Sequence, residues 1–198
     1  MDWAFMKPMN IVRFMTSLLL VPFVLSGCYA DPGKIMSSDK PGYDHYSNKT
    51  INVSVLTPSD WSSNVGIGGD YTITSPKQDG TQIYISRTPV VQWMGGGSSQ
   101  STTLEEFREF RLSQITVEEI GPELESSIQK SSLAGDDAYD LRYSYKPAGD
   151  DRKWFVREIF TVVDGNVYRI QSYTRDSTDP EPIKIFHTMK NSFRILKR

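Results

Sequence analysis

Two β-rich runs joined by one tight turn constrain the fold of this chain more than any other feature. Residues 153–175 read KWFVREIFTVVDGNVYRIQSYTR, with valine, isoleucine and aromatic residues on both sides of Asp164 and Gly165. An Asp-Gly pair is a strong hairpin signal, because both central positions of a type I′ turn need a positive φ. The segment therefore predicts a long antiparallel hairpin.

Alternation of apolar and polar residues predicts further strands on both sides of this hairpin. The pattern occurs in residues 50–58 and again in residues 71–75 and 81–88, which flank a loop with its own Asp-Gly pair. These three segments suggest an antiparallel meander. Residues 138–145 alternate in the same way, and residues 192–196 are predicted to form a last short strand.

Two helices are predicted between the strands. Thr103 and Glu106 have the spacing of a capping box, and apolar residues follow them at helical spacing. Residues 180–192 also carry apolar residues at helical spacing, and Pro180 stands near the start, where proline favours a helix N-terminus. Strands and helices in this order predict an α+β fold whose sheet is mostly antiparallel and is flanked by helices.

The N-terminal segment has the order of an export signal. Lys7 and Arg13 precede an apolar run, residues 14–25, which is too short to span a bilayer. The run ends in Leu-Ser-Gly-Cys at residues 25–28, and this is the only cysteine in the 198 residues. A single cysteine excludes a disulfide within the chain.

Leu-Ser-Gly-Cys resembles the lipobox of bacterial lipoproteins, in which small residues precede a cysteine whose thiol is acylated. The resemblance implies that residues 1–27 are a lipoprotein signal peptide, cleaved after Gly27, and that Cys28 carries a fatty acyl group such as palmitate. Tyr29 stands where an aspartate would retain such a protein in the inner membrane of Gram-negative cells. The implied location is the cell envelope: the outer membrane in a Gram-negative cell, and otherwise the outer face of the plasma membrane. A secretory signal with a chance cysteine is the alternative.

Composition divides the rest of the chain into a spacer and a domain. Residues 28–48 are rich in glycine, proline, serine and charge and have no apolar period, so we predict a flexible tether. Residues 49–198 are enough for a single α+β domain with its own core. Met1, Met6 and Met9 all remain open as the start residue.

The order of the predicted elements resembles the PsbP-like fold over about residues 46–197. A strand ends in Pro58 and is followed by Trp61, then come a helix, AGDDAYDLRYSY, the hairpin VVDGNVYRIQSYT and a helix that runs into MKNSFRIL. The resemblance implies an α/β/α sandwich, shared by the extrinsic photosystem II subunit, a Ran-binding import factor and many bacterial envelope lipoproteins of unknown role. Its motifs are structural and carry no catalysis. A cystatin-like or NTF2-like α+β fold is the alternative.

Residue types that perform chemistry are scarce. His45 and His187 are the only histidines, so neither a zinc site nor a Cys-His dyad is predicted. The sequence has no G-x-S-x-G motif to present a serine nucleophile, its glycine clusters lack the spacing of a phosphate loop, and its acidic pairs do not match a calcium loop. We therefore expect no catalytic residues, no metal and no cofactor.

Charge restricts the partners. With 22 basic and 24 acidic residues, the chain lacks the basic excess that nucleic-acid binding needs. Arg142, Arg157 and Arg169 lie on adjoining predicted strands, and if their side chains align across the strands they would form a small patch for an anionic partner. The tyrosines on the same strands are interpreted mainly as core residues under a helix.

Two classes of function remain. The favoured class is a lipid-anchored cell-envelope protein with a non-catalytic domain that binds an envelope protein or assists an assembly. The alternative is a protein that binds a small molecule or a polymer, or, third, a cryptic hydrolase, with its pocket between sheet and helix. A deep apolar pocket with converging polar groups would favour the alternative, whereas a flat sheet face with exposed aromatic residues would favour the first class.

Overall fold

A computed structural model describes residues 33–66, 69–94, 102–115, 126–146 and 152–196. The strands in these ranges are β1 (Lys34–Ser37), β2 (Tyr43–Asn48), β3 (Val53–Pro58), β4 (Ser62–Val65), β5 (Tyr71–Thr74), β6 (Gln82–Pro89), β7 (Ser126–Leu133), β8 (Asp136–Tyr145), β9 (Trp154–Val163), β10 (Asn166–Thr174) and β11 (Arg194–Ile195). The helices are α1 (Val90–Trp93), α2 (Leu104–Gln114) and α3 (Pro180–Ser192).

Two antiparallel sheets make up the fold. The larger sheet has the order β4-β5-β6-β10-β9-β8-β7, and the smaller sheet has the order β1-β2-β3-β11. The predicted hairpin forms the centre of the larger sheet, where β10 pairs with both β9 and β6. Asp164 has φ 48° and Gly165 has φ 69°, which are the positive values that a type I′ turn requires. The hairpin prediction is confirmed.

The larger sheet separates two apolar cores. One core lies on the face covered by α3 and the smaller sheet, and the other lies on the face covered by α1 and α2. The first contains Val53, Val55, Ile73, Ile83, Ile85, Ile159, Ile170, Ile185, Phe186, Met189 and Phe193. The second contains Val90, Phe107, Ile115, Tyr139, Leu141, Tyr143, Val156, Phe160 and Val167. We call the two sides of the larger sheet the α3 face and the α2 face.

Both long helices begin where the sequence predicts. The Thr103 hydroxyl accepts a hydrogen bond from the Glu106 backbone N–H at 3.2 Å, and the Glu106 carboxylate accepts one from the Thr103 backbone N–H at 2.7 Å. These two bonds are the predicted capping box. The pKa of Glu106 is lowered because the Thr103 backbone N–H and, at 3.0 Å, the Thr103 hydroxyl both donate to its carboxylate and favour the charged form. At α3, the Asp179 carboxylate accepts from the Glu181 backbone N–H at 3.0 Å, ahead of a helix that starts at Pro180.

The prediction of a tether is wrong for residues 33–48, because β1 and β2 occupy this part of the chain. Tyr46 is fully buried, and its ring stacks on that of Tyr71 at a centroid distance of 3.7 Å. The polar composition suggested a tether, but backbone hydrogen bonds to β3 stabilise this segment, and one aromatic side chain attaches it to the core. The domain therefore extends at least to residue 33. Residues 28–32 of the predicted tether, and the signal peptide with Gly27 and Cys28, lie outside the described residues.

The predicted meander is correct only in part. β5 and β6 pair as expected, but β3 lies in the smaller sheet between β2 and β11. Besides β1 and β2, two further strands were not predicted, β4 (SSNV) and β7 (SSIQKSSL), since serine-rich edge strands show little apolar alternation. Among the described residues, no helix combines the length and the apolarity that crossing a membrane would require.

Candidate functional site

A groove of about 680 Å³ opens on the α3 face, between the N-terminal half of α3 and the ends of β8, β9 and β10. We call it the α3 groove; the residues used below to define it are Arg142, Ser144, Phe155, Arg157, Ile183 and His187. It lies where the helix no longer covers the sheet. A volume of this size is within the range of small-molecule sites.

Arg157 is fixed by a buried carboxylate below the groove. Its Nη2 donates to Asp140 Oδ2 at 2.6 Å, and its Nε donates to Oδ1 at 3.2 Å. The Asp140 side chain is 3% exposed, so the carboxylate is well shielded from water. Arg142 Nε lies 3.6 Å from the same Asp140 Oδ1, while the Arg142 side chain is 51% exposed. One carboxylate therefore faces two guanidinium groups, and the cluster keeps one positive charge.

His187 attaches α3 to this cluster. Arg157 Nη1 lies 3.0 Å from His187 Nε2. A guanidinium group can only donate, so Nε2 accepts and the proton of the neutral ring resides on Nδ1. Burial lowers the pKa of His187, and the positive charges of Arg157 and Lys190 lower it further. The imidazole is therefore neutral at pH 7 and contributes an acceptor, not a charge.

Ser144 lies on the floor of the groove with an unsatisfied hydroxyl. The residue is 3% exposed, and its Oγ is buried without a hydrogen-bond partner among the described residues. It stands opposite Phe155 in the β8–β9 register, two residues along the strand from Arg142 and on the same face. Buried polar groups in proteins are nearly always paired, so this hydroxyl suits a partner that the chain itself does not supply.

The structure brings together two of the three predicted arginines. Arg142 and Arg157 are direct neighbours in the β8–β9 register, so their side chains share the α3 face. Arg169 pairs with Phe160 on β9, three residues from Arg157, and therefore lies on the opposite face. The predicted patch of Arg142, Arg157 and Arg169 is wrong as a set, because an odd spacing along a strand reverses the side of the sheet.

Arg169 instead adjoins a buried polar network on the α2 face. Glu158 is fully buried; it receives Arg111 Nη2 at 3.0 Å and Gln171 Nε2 at 3.1 Å. Arg111 Nη2 also donates to Tyr143 Oη at 3.2 Å. Arg169 Nη1 lies 4.0 Å from Glu158, and its guanidinium group stacks over the Trp93 ring.

Sequence reasoning missed this network, although a signal for it existed. Arg111 lies four residues after Phe107, on the apolar face of α2. Glu158 lies between Val156 and Phe160 on the apolar face of β9. A charged residue on each of two facing apolar surfaces indicates a buried ion pair, since an unpaired buried charge is strongly disfavoured.

A second, smaller groove of about 400 Å³ lies at the edge of the α2 face. Its walls include Tyr84, Trp154 and Tyr173, and the Tyr84 and Trp154 rings both meet Tyr173 edge to face. The Arg175 guanidinium group lies 3.5 Å from the centroid of the Trp154 ring. These mutual contacts occupy much of the aromatic surface.

The structure offers no arrangement for metal chemistry in the parts that it describes. No group of three or more histidine, cysteine or acidic side chains there could hold a metal ion. Within those ranges the His187 ring has Arg157 as its sole hydrogen-bond partner, so no hydroxyl nucleophile is paired with this imidazole.

Solved structures resemble this arrangement of sheets and helices. Cyanobacterial PsbP (CyanoP) from Synechocystis sp. PCC 6803 matches with a TM-score of 0.53 and 15% identity, over 82% of this chain and 98% of that one. The fold is PsbP-like. The predicted α+β class with a mostly antiparallel sheet is thereby confirmed.

Two further solved structures match this chain with similar TM-scores. LpqN of Mycobacterium tuberculosis, described as involved in cell envelope biogenesis, matches with a TM-score of 0.51 and 18% identity, over 73% of this chain and 83% of that one. A protein from Bacteroides thetaiotaomicron matches with a TM-score of 0.51 and 12% identity, over 74% of this chain and 46% of that one. No protein-family model and no curated protein matches the chain. At identities this low the matches show only the fold, so the function has to be argued from the geometry of the site.

Proposed function

We propose that this chain is a lipid-anchored cell-envelope protein whose PsbP-like domain binds a partner in the α3 groove without catalysing a reaction. The observation that carries the proposal is the groove itself, about 680 Å³ in volume, with apolar walls and the cationic cluster of Arg142 and Arg157 at one end. A concave apolar surface with a few convergent polar groups is the usual form of a binding site.

The chemistry of the cluster supports binding in preference to catalysis. A general base must accept a proton from a nucleophile, yet His187 Nε2 is directed at a guanidinium group, which cannot give up its proton. Asp140 is engaged by Arg157 through both carboxylate oxygens. These groups hold charges and acceptors in fixed positions, as recognition requires.

The sequence of the leader supports the anchor and the location. Leu-Ser-Gly-Cys at residues 25–28 has the form of a lipobox, and Cys28 would be the acylated first residue of the mature chain. LpqN, which shares the fold, is described as involved in cell envelope biogenesis. We place the protein in the cell envelope, in the outer membrane where the cell has one.

Two kinds of partner are candidates for the groove. The first is a segment of another envelope protein, which would make this domain an assembly or binding module. The second is a small molecule, and the geometry of the site favours it. Tyr139 and Tyr143 are 5% and 3% exposed beneath α2, so they offer no flat aromatic surface, whereas the α3 groove is concave and mainly apolar, with convergent polar groups at one end.

Photo-crosslinking in native membranes tests the proposal. A benzophenone amino acid at Ile183, which is 41% exposed at the groove, should form an adduct, whereas the same group at Lys184, outside the groove lining, should not. A gel shift would identify a protein partner, and a small mass increment would identify a small molecule. Equal yields at both positions would contradict the groove as the binding site.

The anchor is tested separately. A Cys28→Ala variant should accumulate as unprocessed precursor and take up no labelled palmitate, whereas the wild type is cleaved and labelled. A variant that is cleaved and localised like the wild type would overturn the lipoprotein part of the proposal and leave the groove untouched.

A further inference from the structure

At the polar end of the α3 groove, the positive and negative charges of the described residues do not balance. Asp140 carries one negative charge and contacts both Arg142 and Arg157, and neutral His187 adds none. Lys190, also on α3, adds a positive charge that lowers the pKa of His187, and its ammonium group donates a hydrogen bond to the Ser131 hydroxyl. Counting the described residues, the end of the groove therefore carries an excess of positive charge.

The guanidinium groups differ in their availability. Arg157 is committed by its two bonds to Asp140 and its contact with His187, and its side chain is 16% exposed. Arg142 is 51% exposed, and its closest approach to Asp140 is 3.6 Å, longer than a hydrogen bond. Arg142 can therefore turn its donors towards a ligand while Arg157 stays in place.

Ser144 supplies a second donor close to Arg142. The two residues are i and i+2 on β8, so their side chains leave the same face about 7 Å apart. The Ser144 hydroxyl has no partner within the described ranges. One anionic group between them could accept from both, which would satisfy the hydroxyl and balance the charge.

The remainder of the groove is mainly apolar, although Ser127, Ser172, Thr174 and Ser177 also line it. Phe155 from β9 faces Pro182, Ile183 and Phe186 from α3. Ile183 is one of three large apolar side chains that the described part of the chain exposes widely. A groove that is mainly apolar and is cationic at one end is complementary to a molecule with an apolar chain and an anionic head.

We propose that the α3 groove binds an amphiphile with one negative charge, its acidic head between Arg142 and Ser144 and its hydrocarbon chain between Phe155 and Ile183. This inference deepens the proposed function and rests on it, since it names the ligand class of the same groove. A free fatty acid and an anionic membrane lipid share this chemistry.

The test uses a lauric acid analogue with a diazirine at its chain end, and the alcohol of the same chain as the uncharged probe. The full-length processed protein is placed in phosphatidylcholine nanodiscs, irradiated with either probe and analysed by peptide mass spectrometry. The carboxylate should label the α3 and β9 walls of the groove about tenfold more than the alcohol, because a charge-assisted hydrogen bond supplies at least that discrimination.

Matched variants assign the effect to the groove. Arg142→Gln should reduce carboxylate labelling about tenfold, and Ser144→Ala should reduce it by a smaller factor, whereas Lys184→Gln, which removes a charge from the same helix outside the groove lining, should leave it unchanged. If added phosphatidylglycerol competes with the probe, a membrane lipid is identified as the source of the ligand. If it does not compete, a free acid is identified as the source. Either result supports the ligand class.

Two results would overturn the inference. Equal labelling by acid and alcohol would show that the head group is not recognised, and equal losses in Arg142→Gln and Lys184→Gln would show a general charge effect. If benzophenone at Ile183 still captures a protein, the proposed function stands and this inference alone fails. If neither experiment shows occupancy of the groove, both are overturned.

Discussion

Arg157 and Asp140 form a two-bond ion pair across neighbouring strands, with donor–acceptor distances of 2.6 Å and 3.2 Å. The pair has two roles. It orders one end of the α3 groove, and through His187 it joins the helix to the sheet. Such a pair contributes little net stability compared with apolar residues, but loss of one partner leaves the other charge buried.

Removing the carboxylate should therefore destabilise the domain. We expect Asp140→Asn to lower the free energy of unfolding by about 2 kcal/mol, below the usual figure for a buried pair because Arg157 retains some contact with water. Urea denaturation measures the change. Asp136→Asn, an exposed change near the start of the same strand, is the control and should shift stability by less than about 0.5 kcal/mol. Equal effects would contradict the structural role of the pair.

His187 should make stability depend on pH. Its pKa is lowered from the ordinary value of 6.5 by burial and by Arg157, so the unfolded chain takes up the proton first as the pH falls. Stability should fall as the pH falls through 6.5, and the loss should be complete below the pKa of His187 in the folded state. His187→Gln should reduce this slope in urea titrations at several pH values. An unchanged slope would show that His187 is not the group responsible.

Local signals in the sequence were sufficient for much of the fold. The Asp164–Gly165 turn, the Thr103 capping box and the Pro180 helix start each involve a few adjacent residues, and each is where the sequence predicts it. β1 and β2 could not be predicted in this way. Their stability comes from pairing with β3 and from the stacking of Tyr46 on Tyr71, which are contacts between residues distant in sequence.

The candidate site was predictable only in part, for a related reason. Alternation correctly separated Arg142 from the buried tyrosines of β8. Whether Arg169 shares a face with Arg142 and Arg157 depends on the register of three strands, and the pattern of a single strand does not contain that register. The part played by Asp140 was equally hidden, because an acidic residue at the end of a turn-rich segment is typical of a solvated surface.

The Glu158 network should be a second point of sensitivity. Glu158→Gln leaves Arg111 buried without its counter-charge, so we expect a loss of about 3–5 kcal/mol in the free energy of unfolding, measured by urea or thermal denaturation. Arg108 and Glu109 on the same helix form an exposed ion pair, and Glu109→Gln should change stability by less than about 0.5 kcal/mol. Similar losses in the two variants would mean that burial does not set the strength of these pairs.

Tyr46 tests where the domain begins. If residues 33–48 belong to the fold, Tyr46→Ala should remove a buried, stacked ring and lower the free energy of unfolding by about 3–5 kcal/mol. Ile35→Ala, on β1 where the side chain is 54% exposed, should have an effect within about 0.5 kcal/mol. Urea denaturation monitored by tryptophan fluorescence reports both. If Tyr46→Ala left the free energy of unfolding unchanged, a spacer in this part of the chain would be favoured instead, because residues of a flexible tether contribute nothing to the stability of the domain that follows.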